Sequence, residues 1–322
     1  MLLIKYASWL RLSEGINISD KLLLFFIKLY YLTLIIFLRL ALGKTRSKRI
    51  IGKRRLDFGA LWYESYSFWK RGWKESDKEL LKFKMPKYHF QFYCRKNKDD
   101  FKTMTFHEDE ILDQHFKPKE GDVVVDVGAH IGPYTIIASK RVGPNGKVVS
   151  IEADPGNFDV LKRNIQLNKL SNVVMLNYAI YSEAKLIKLY LPGSGEAQGS
   201  SASYTKYNTI MSDRAAQGHE KFVEVKANTL DYLLLSNKIT QDRVNWMKID
   251  VEGAEYEVLK GAKNILSKST DITLLIEIHN LSAGNILYEP IREFLSLNSF
   301  KIEFEKASDS GERHVIARKY QR

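Results

Sequence analysis

Residues 123–135 read VVVDVGAHIGPYT, and this stretch gives the clearest indication of the fold. A run of β-branched residues ends at Asp126, Gly128 and Gly132 follow, and a helix-like segment begins near Tyr134. Glycine allows a tight turn and a close backbone approach that a larger side chain would block. A buried strand, a glycine-containing turn and a helix, in this order, bind adenosine-containing cofactors in α/β proteins. The stretch therefore predicts such a cofactor site.

Strands and helices alternate after this stretch, which favours a mainly parallel sheet with helices on both faces. Asp154 and Pro155 suit the N-cap and first position of a helix at 157–168. Strands are predicted at 88–95, 101–106, 147–151, 172–180, 186–191, 244–251 and 271–278, with a terminal antiparallel pair at 300–304 and 314–318. A helix after residue 253 should bury Val258, Leu259, Ala262, Ile265 and Leu266. The predicted fold class is α/β: a Rossmann-like, mostly parallel sheet with an antiparallel terminal pair and an N-terminal helical segment.

Composition and charge exclude several classes of protein. The single cysteine, Cys94, excludes an internal disulfide and a cysteine-rich metal site, and the seven histidines show no zinc-ligand spacing. The net charge is +12, but residues 1–55 carry twelve basic and two acidic side chains, so +10 of it lies there. The other 267 residues carry 38 basic and 36 acidic side chains. Enzymes that act on nucleic acid usually spread positive charge over the working face, so this distribution disfavours a nucleic-acid partner.

An apolar run at 22–42 is interrupted only by two basic residues. As a helix it would be roughly 31 Å long, about the thickness of a hydrocarbon core. The basic cluster at 44–55 would then keep the rest of the chain cytoplasmic. However, Lys21, Lys28 and Arg39 share one narrow helical stripe, which suits a helix lying on an anionic membrane surface. Three interpretations of this segment stay open: a helix that spans a membrane, a helix that lies on a membrane surface, and a helix that packs on protein.

The chain divides by composition into three segments. Residues 1–56 are hydrophobic and basic, residues 57–86 form an aromatic linker, and residues 87–322 form the catalytic domain. Contact with an anionic membrane would use residues 22–55. The expected location is the cytoplasm, with the inner face of the membrane as the alternative.

The spacing of the glycines discriminates between cofactors. A dinucleotide-binding turn needs the pattern GxGxxG, and this turn lacks its third glycine. It reads instead D-x-G-x-x-x-G from Asp126 to Gly132. Glu152 ends the next predicted strand, where an acid can bind both hydroxyls of a ribose. Asp126 could accept hydrogen bonds from the turn amides or from a cationic amine of the ligand.

The D-x-G-x-x-x-G turn resembles the first motif of class I S-adenosylmethionine (SAM) methyltransferases. Residues 247–262, MKIDVEGAEYEVLKGA, together with DVGAHIGPYT and the segment 199–203, resemble the FkbM-type methyltransferases, in which K-x-D-V-E-G-x-E is characteristic. The resemblance covers about residues 100–320, and it departs at His130, usually Asn, and at Ala153, usually Pro. It implies SAM as the cofactor. The implied cofactor-binding residues are Asp126, Gly128, Ala129, Gly132, Tyr134, Glu152 and Asp250.

The resemblance also implies methyl transfer to a hydroxyl of a sugar, a lipid-linked glycan or another small metabolite. The acceptor would gain from a base that removes its proton. Candidates at the ends of parallel strands are Asp250, Glu252, Glu277 and His279. His279 is the first choice because histidine ordinarily titrates near pH 6.5, and Glu252 is the second. Asp250 and Glu252 could share a cation, but nothing else in the sequence requires one, so no metal site is predicted.

Residues 192–219, rich in glycine, serine and alanine, are expected to form a lid or a binding loop over the acceptor. Three other functions stay open: a nucleic-acid methyltransferase, an oxidoreductase with a nicotinamide cofactor, and a scaffold without catalytic activity. The missing third glycine argues against the oxidoreductase.

Overall fold

The computed structural model describes residues 29, 33, 36, 37, 40–43, 79–85, 88–95, 100, 103, 111–191, 210, 221–279, 287–307 and 312–319. They belong to two units, residues 1–108 and 109–322. The division lies further along the chain than the predicted boundary at 86/87. Most of the predicted segments 1–56 and 57–86, the stretch 199–203 and, apart from Ile210, the loop 192–219 lie outside the described residues.

The first unit contains a two-stranded antiparallel sheet. Strand β1 (Leu80–Met85) pairs with β2 (Phe90–Arg95), so a strand begins inside the segment predicted as a linker. The strand predicted at 88–95 is confirmed, but the one predicted at 101–106 is wrong at Thr103, which is helical. No helix in the described part of the chain has both the length and the apolar character to cross a membrane.

The second unit alternates strands and helices, as predicted. Its elements are a π-helical turn (Ile111–His115), β3 (Val123–Val127), α1 (Pro133–Val142), β4 (Lys147–Ile151), α2 (Pro155–Leu167), β5 (Val173–Leu176), β6 (Ala179–Ile180), β7 (Lys185–Leu191), β8 (Lys221–Asn228), α3 (Leu230–Ser236), a 3-10 turn (Gln241–Arg243), β9 (Val244–Ile249), α4 (Glu255–Gly261), α5 (Lys263–Lys268), β10 (Ile272–Ile278), α6 (Tyr288–Leu297), β11 (Lys301–Ala307) and β12 (Arg313–Lys319).

Seven of these strands form one sheet in the order β11-β12-β10-β9-β3-β4-β5. The five strands from β10 to β5 are parallel, while β12 runs antiparallel to both β10 and β11. The predicted α/β, Rossmann-like class is therefore confirmed, including the antiparallel terminal pair, while most of the predicted N-terminal helical segment lies outside the described residues. The chain passes from β3 to β4 on one side and later returns to β9 on the other. Ligands bind at such a switch point, beyond the carboxyl ends of the strands.

The main hydrophobic core lies against the central strands of this sheet. Every residue of β10 is buried, which explains why five of its seven residues are isoleucine or leucine. The five residues predicted for the buried face after residue 253 are all fully buried. The helix that carries them is divided at Ala262 into α4 and α5.

The segment predicted as one strand at 172–180 is two strands in different sheets. Strand β5 belongs to the large sheet, whereas β6 joins β8 and β7 in a three-stranded sheet. Between β5 and β6, the Asn177 side chain donates to the backbone carbonyls of Glu152 and Ala153, at 2.8 and 3.1 Å. These hydrogen bonds hold the chain at the break and fix the loop that follows β4.

Candidate cofactor and acceptor site

The glycines of the turn after β3 are required by two close contacts. Gly128 has φ +81°, and a Cβ there would lie 1.8 Å from the backbone oxygen of Asp250. Gly132 has φ +98°, and a Cβ there would lie 2.7 Å from the Leu161 side chain. The contact at Gly128 brings the carboxyl ends of β3 and β9 together at the switch point. The contact at Gly132 packs the start of α1 against α2. Glycine is thus needed at both positions for conformation and for space.

His130 occupies the left-handed region at φ +51°. Asn and His enter this region more readily than most other residues, which explains why His can stand where the FkbM pattern usually has Asn. The turn uses the backbone of this residue, since its amide donates to Glu152 Oε2 at 2.8 Å. The departure in the sequence therefore leaves this hydrogen bond of the turn intact.

Glu152 ties the turn to the start of α2. Its Oε1 accepts from the Asp154 amide at 2.9 Å and from Asn157 Nδ2 at 3.2 Å. Burial raises the pKa of Glu152 to about 7, against the opposing effect of its hydrogen bonds from Asp154 and His130. The two oxygens have four lone pairs and accept three hydrogen bonds, so Oε2 keeps one lone pair for a ribose hydroxyl. The structure places it where the sequence predicted, at the end of β4.

Asp126 contacts protein groups instead of the turn amides. Thr135 Oγ1 donates to its Oδ2 at 2.6 Å, and Lys248 Nζ lies 3.8 Å from its Oδ1. The amides of Gly128 and Ala129 donate to the Ile151 carbonyl. Burial raises the pKa of Asp126, and Lys248 and Thr135 oppose that effect. Asp126 therefore supports the turn from beneath.

Lys248 is a functional candidate that sequence reasoning missed. It is buried, donates to Asp250 Oδ2 at 3.0 Å and to the Gly128 carbonyl at 3.3 Å, and lies over the Tyr134 ring at 4.9 Å. It pairs with Asp126 in the sheet register, so the two side chains share a face. Its position in K-x-D-V-E-G was the available signal, because alternation places Lys248 and Asp250 on one face.

Tyr134 and Ala129, both implied as cofactor-binding residues, are buried. The Tyr134 ring packs edge-on against Phe116 at 5.1 Å. These two side chains therefore shape the base of the turn.

The predicted catalytic residues do come together beyond the ends of β9 and β10. His279 Nε2 lies 3.5 Å from Glu252 Oε1, 3.8 Å from Glu277 Oε1 and 3.9 Å from Asp250 Oδ1. Its Nδ1 lies 2.9 Å from Oε1 of Glu255, a fully buried carboxylate that the sequence did not single out. We call Asp250, Glu252, Glu255, Glu277 and His279 the strand-end cluster.

The environment of His279 differs from the one that its predicted role requires. Burial lowers its pKa, but the carboxylates of Glu252, Glu255 and Glu277 outweigh that effect and raise the pKa well above its ordinary value. A general base has to be neutral before it takes a proton, and these carboxylates disfavour the neutral ring, so the ordinary pKa near 6.5 expected from the sequence does not hold in the folded chain.

These features fit SAM. The turn after β3 is built around two glycines whose missing Cβ atoms allow its close packing, and an acid ends the neighbouring strand. Glu152 would hold the ribose, and the turn backbone would lie beside the rest of the cofactor.

Comparisons with known proteins agree with this assignment. The profile of the methyltransferase FkbM domain matches residues 126–302, more than half of the chain. Methyltransferase sdnD of Sordaria araneosa is 32% identical over 154 residues, 43% of this chain and 59% of that protein. Hexuronic acid methyltransferase AglP of Haloferax volcanii is 30% identical over 161 residues, 50% of this chain and 57% of AglP. The chain thus spans somewhat more than half the length of these relatives.

Among solved structures, methyltransferase FkbM from Methylobacillus flagellatus aligns with 63% of this chain and 45% of its own, with a TM-score of 0.42 and 17% identity. The Rossmann-like assignment itself rests on the strand order and the family match. Because the matching profile is that of a methyltransferase domain, the match also argues against the alternative of an oxidoreductase with a nicotinamide cofactor. Residues 126–302 are a SAM-dependent methyltransferase domain, and the chain belongs to the FkbM methyltransferase family.

Proposed function

We propose that the protein methylates a hydroxyl group of a sugar, a glycan or a related small metabolite, with SAM as the donor. The observation that carries the proposal is the position of the strand-end cluster. Asp250 contacts the cofactor turn through its backbone at Gly128, and its side chain lies in the cluster with Glu252 and His279. Groups that can take a proton are thereby held next to the place where the methyl donor would lie.

The chemistry is a displacement at an activated carbon. The donor supplies a sulfonium methyl group; its carbon–sulfur bond breaks as the bond to the acceptor oxygen forms, and the hydroxyl proton must leave. Positioning supplies most of the acceleration, and a base at the hydroxyl adds to it. Asp250 and Glu252 are the more accessible acids, with side chains 24% and 16% exposed against 6% for Glu277. We therefore assign proton uptake to this pair and give His279 the task of orienting them.

Two observations support a carbohydrate or small-molecule acceptor. AglP, which matches half of this chain, is named for a hexuronic acid. The sequence beyond residue 55 also carries nearly equal numbers of basic and acidic side chains, whereas a nucleic-acid substrate favours a basic surface.

The test is transfer of label from methyl-tritiated SAM to a panel of hexuronic acids, neutral sugars, lipid-linked glycans and RNA. We expect label in a carbohydrate or small hydroxyl compound. Glu152→Gln should lower both SAM affinity and transfer, because a carboxylate accepts a hydrogen bond from a hydroxyl more strongly than an amide does. Glu183→Gln, which removes an exposed partner of Lys185, is the matched control and should leave both unchanged. Label in RNA alone would contradict the proposal.

We also propose that residues 22–55 attach the protein to an anionic membrane surface on the cytoplasmic side. The support is the concentration of basic residues beside an apolar run in this segment. Vesicles containing phosphatidylserine should sediment the full chain more strongly than neutral vesicles, and less so at high salt. Equal sedimentation with both kinds of vesicle would contradict this proposal.

A further inference from the structure

The strand-end cluster has the composition and geometry of a metal site. We propose that Asp250, Glu252 and His279 bind a divalent cation. One suitable atom from each of the three residues can be chosen so that all lie within 4.8 Å of one another. A cation bound there would lie next to the cofactor turn, at a position for which the sequence alone required no metal.

The separations match those between ligands of one cation. Metal bonds of about 2.1 Å place neighbouring octahedral ligands about 3.0 Å apart and opposite ones about 4.2 Å apart. His279 Nε2 lies 3.5 Å from Glu252 Oε1 and 3.9 Å from Asp250 Oδ1, inside that range. These distances are too long for good hydrogen bonds, so the groups surround a position without bonding directly to one another.

His279 is oriented as metal-binding histidines are. Its Nδ1 pairs with Glu255 Oε1 at 2.9 Å, and that oxygen also accepts from the Gly253 amide at 2.9 Å. A carboxylate on one ring nitrogen fixes the ring and directs the other nitrogen at the metal. Nε2 belongs to a side chain that is only 3% exposed, and within the described part of the chain it makes no hydrogen bond. Nε2 is thus a nearly buried nitrogen directed at the Asp250 and Glu252 carboxylates, where it can ligate a cation together with them.

The charge of the cluster also points to a cation. Four carboxylates, from Asp250, Glu252, Glu255 and Glu277, surround His279. Among the described residues, Lys248 pairs with Asp250 at 3.0 Å, and His314 lies 3.5 Å from Glu277. Carboxylates held this close repel one another, and a divalent ion between two of them offsets that repulsion.

Two carboxylates and one imidazole suit Mn²⁺ or Zn²⁺ better than Ca²⁺, which prefers oxygen ligands alone. Beside the turn, the ion could bind the acceptor hydroxyl and make it easier to ionise, and the carboxylate oxygen of Glu252 that does not bind the ion could then take the proton. That role rests on the proposed methyltransferase function, whereas binding of the ion does not.

The test is titration of the full-length protein, stripped with a chelator, with Mn²⁺ alone, followed by electron paramagnetic resonance. We expect one Mn²⁺ per chain and, in pulsed spectra, the nitrogen modulation of a coordinated imidazole. His279→Gln should abolish that modulation, and Glu252→Gln should weaken binding by about tenfold or more. Asp271→Asn removes an exposed carboxylate at the opposite end of β10 and should leave Mn²⁺ binding unchanged.

Circular dichroism and SAM affinity, measured on each variant, separate a lost site from a lost fold. Absence of saturable Mn²⁺ binding to the wild-type protein, or nitrogen modulation that survives in His279→Gln, would overturn the proposed site. Because Mn²⁺ is titrated without SAM or acceptor, this outcome leaves the methyltransferase proposal standing. Conversely, a bound ion in a protein that methylates no acceptor would support the site while the proposed function fails.

Discussion

At the scale of single residues, the site depends on a few positions where close packing or a charge contact restricts which side chain can be accommodated. Gly128 is the sharpest, because its missing Cβ leaves room for the Asp250 carbonyl. Lys248 is another, since it links Asp126 under the turn to Asp250 in the strand-end cluster, at 3.8 and 3.0 Å. Glu255 acts indirectly, because its Oε1 pairs with His279 Nδ1 and so orients the imidazole ring. Each of these residues positions a group that faces the ligand.

Gly128→Ala should destabilise the protein and weaken SAM binding, because a Cβ would lie 1.8 Å from a backbone oxygen. Gly121→Ala is the matched control, since Gly121 also has a positive φ, +86°, but a Cβ added there would meet no atom within 4 Å. The control should cost about 1–2 kcal/mol from backbone strain alone. Overcrowding should cost Gly128→Ala about 1–3 kcal/mol more in urea unfolding. Equal losses in both variants would show that the close contact at the turn is unimportant.

At the scale of elements, the cofactor turn is held by the start of α2. Asp154 caps this helix, its Oδ1 accepting from the Asn157 amide at 2.6 Å, and its own amide donates to Glu152. The cap and the cofactor-binding acid are therefore parts of one hydrogen-bonded loop. A change in the cap should therefore alter cofactor binding.

Asp154→Ala should cost about 1 kcal/mol, the usual loss for an N-cap, and should also weaken SAM binding because the start of α2, whose Asn157 side chain donates to Glu152, is held less firmly. Thr229→Ala removes the N-cap of α3, where Thr229 Oγ1 accepts from the Tyr232 amide. It should cost a similar free energy of unfolding and leave SAM affinity unchanged. Calorimetric titration with SAM would distinguish the two, and an equal effect on affinity would contradict the link between α2 and the site.

At the scale of the whole molecule, buried titratable groups make the free energy of unfolding depend on pH. The pKa of Glu152 rises from 4.5 to about 7 on folding, so the folded state binds the proton more tightly. The resulting stabilisation is complete below pH 4.5 and is lost as the pH rises from about 4.5 to about 7. For this almost fully buried group the loss is at most about 3 kcal/mol. The raised pKa of Asp126 acts in the same direction.

Glu152→Gln should flatten this profile, because an amide does not titrate. Urea unfolding of both proteins at intervals from pH 5 to pH 8 would show it. The difference between variant and wild type should shift in favour of the variant as the pH rises. A difference that stays constant over this range would mean that Glu152 keeps an ordinary pKa in the folded protein.

The fold class, the cofactor and the family could all be predicted from the order of residues alone. These predictions rest on the apolar run that ends at Asp126, on the two glycines and on the alternation of strands with helices. Each of these features reflects local backbone geometry or burial, and both can be recognised in the sequence as glycines at fixed positions or as periodic apolar residues. The same is true of Asp154 as a helix cap and of the largely apolar strand β10. The partner of β2 could not be predicted in this way, because strand pairing is a long-range choice that no local pattern encodes.

The roles of the polar residues, by contrast, depend on how the folded chain brings them together. Residues 250 and 279 lie far apart in the chain but meet because β9 and β10 are parallel neighbours whose carboxyl ends share one edge. The carboxylates of Glu252, Glu255 and Glu277 gathered there raise the pKa of His279, which its neighbours in the sequence do not reveal. In the same way, Lys248 joins Asp126 to Asp250 because sheet register sets those side chains on one face. Electrostatic fields depend on distance in space, and only the folded chain fixes that distance.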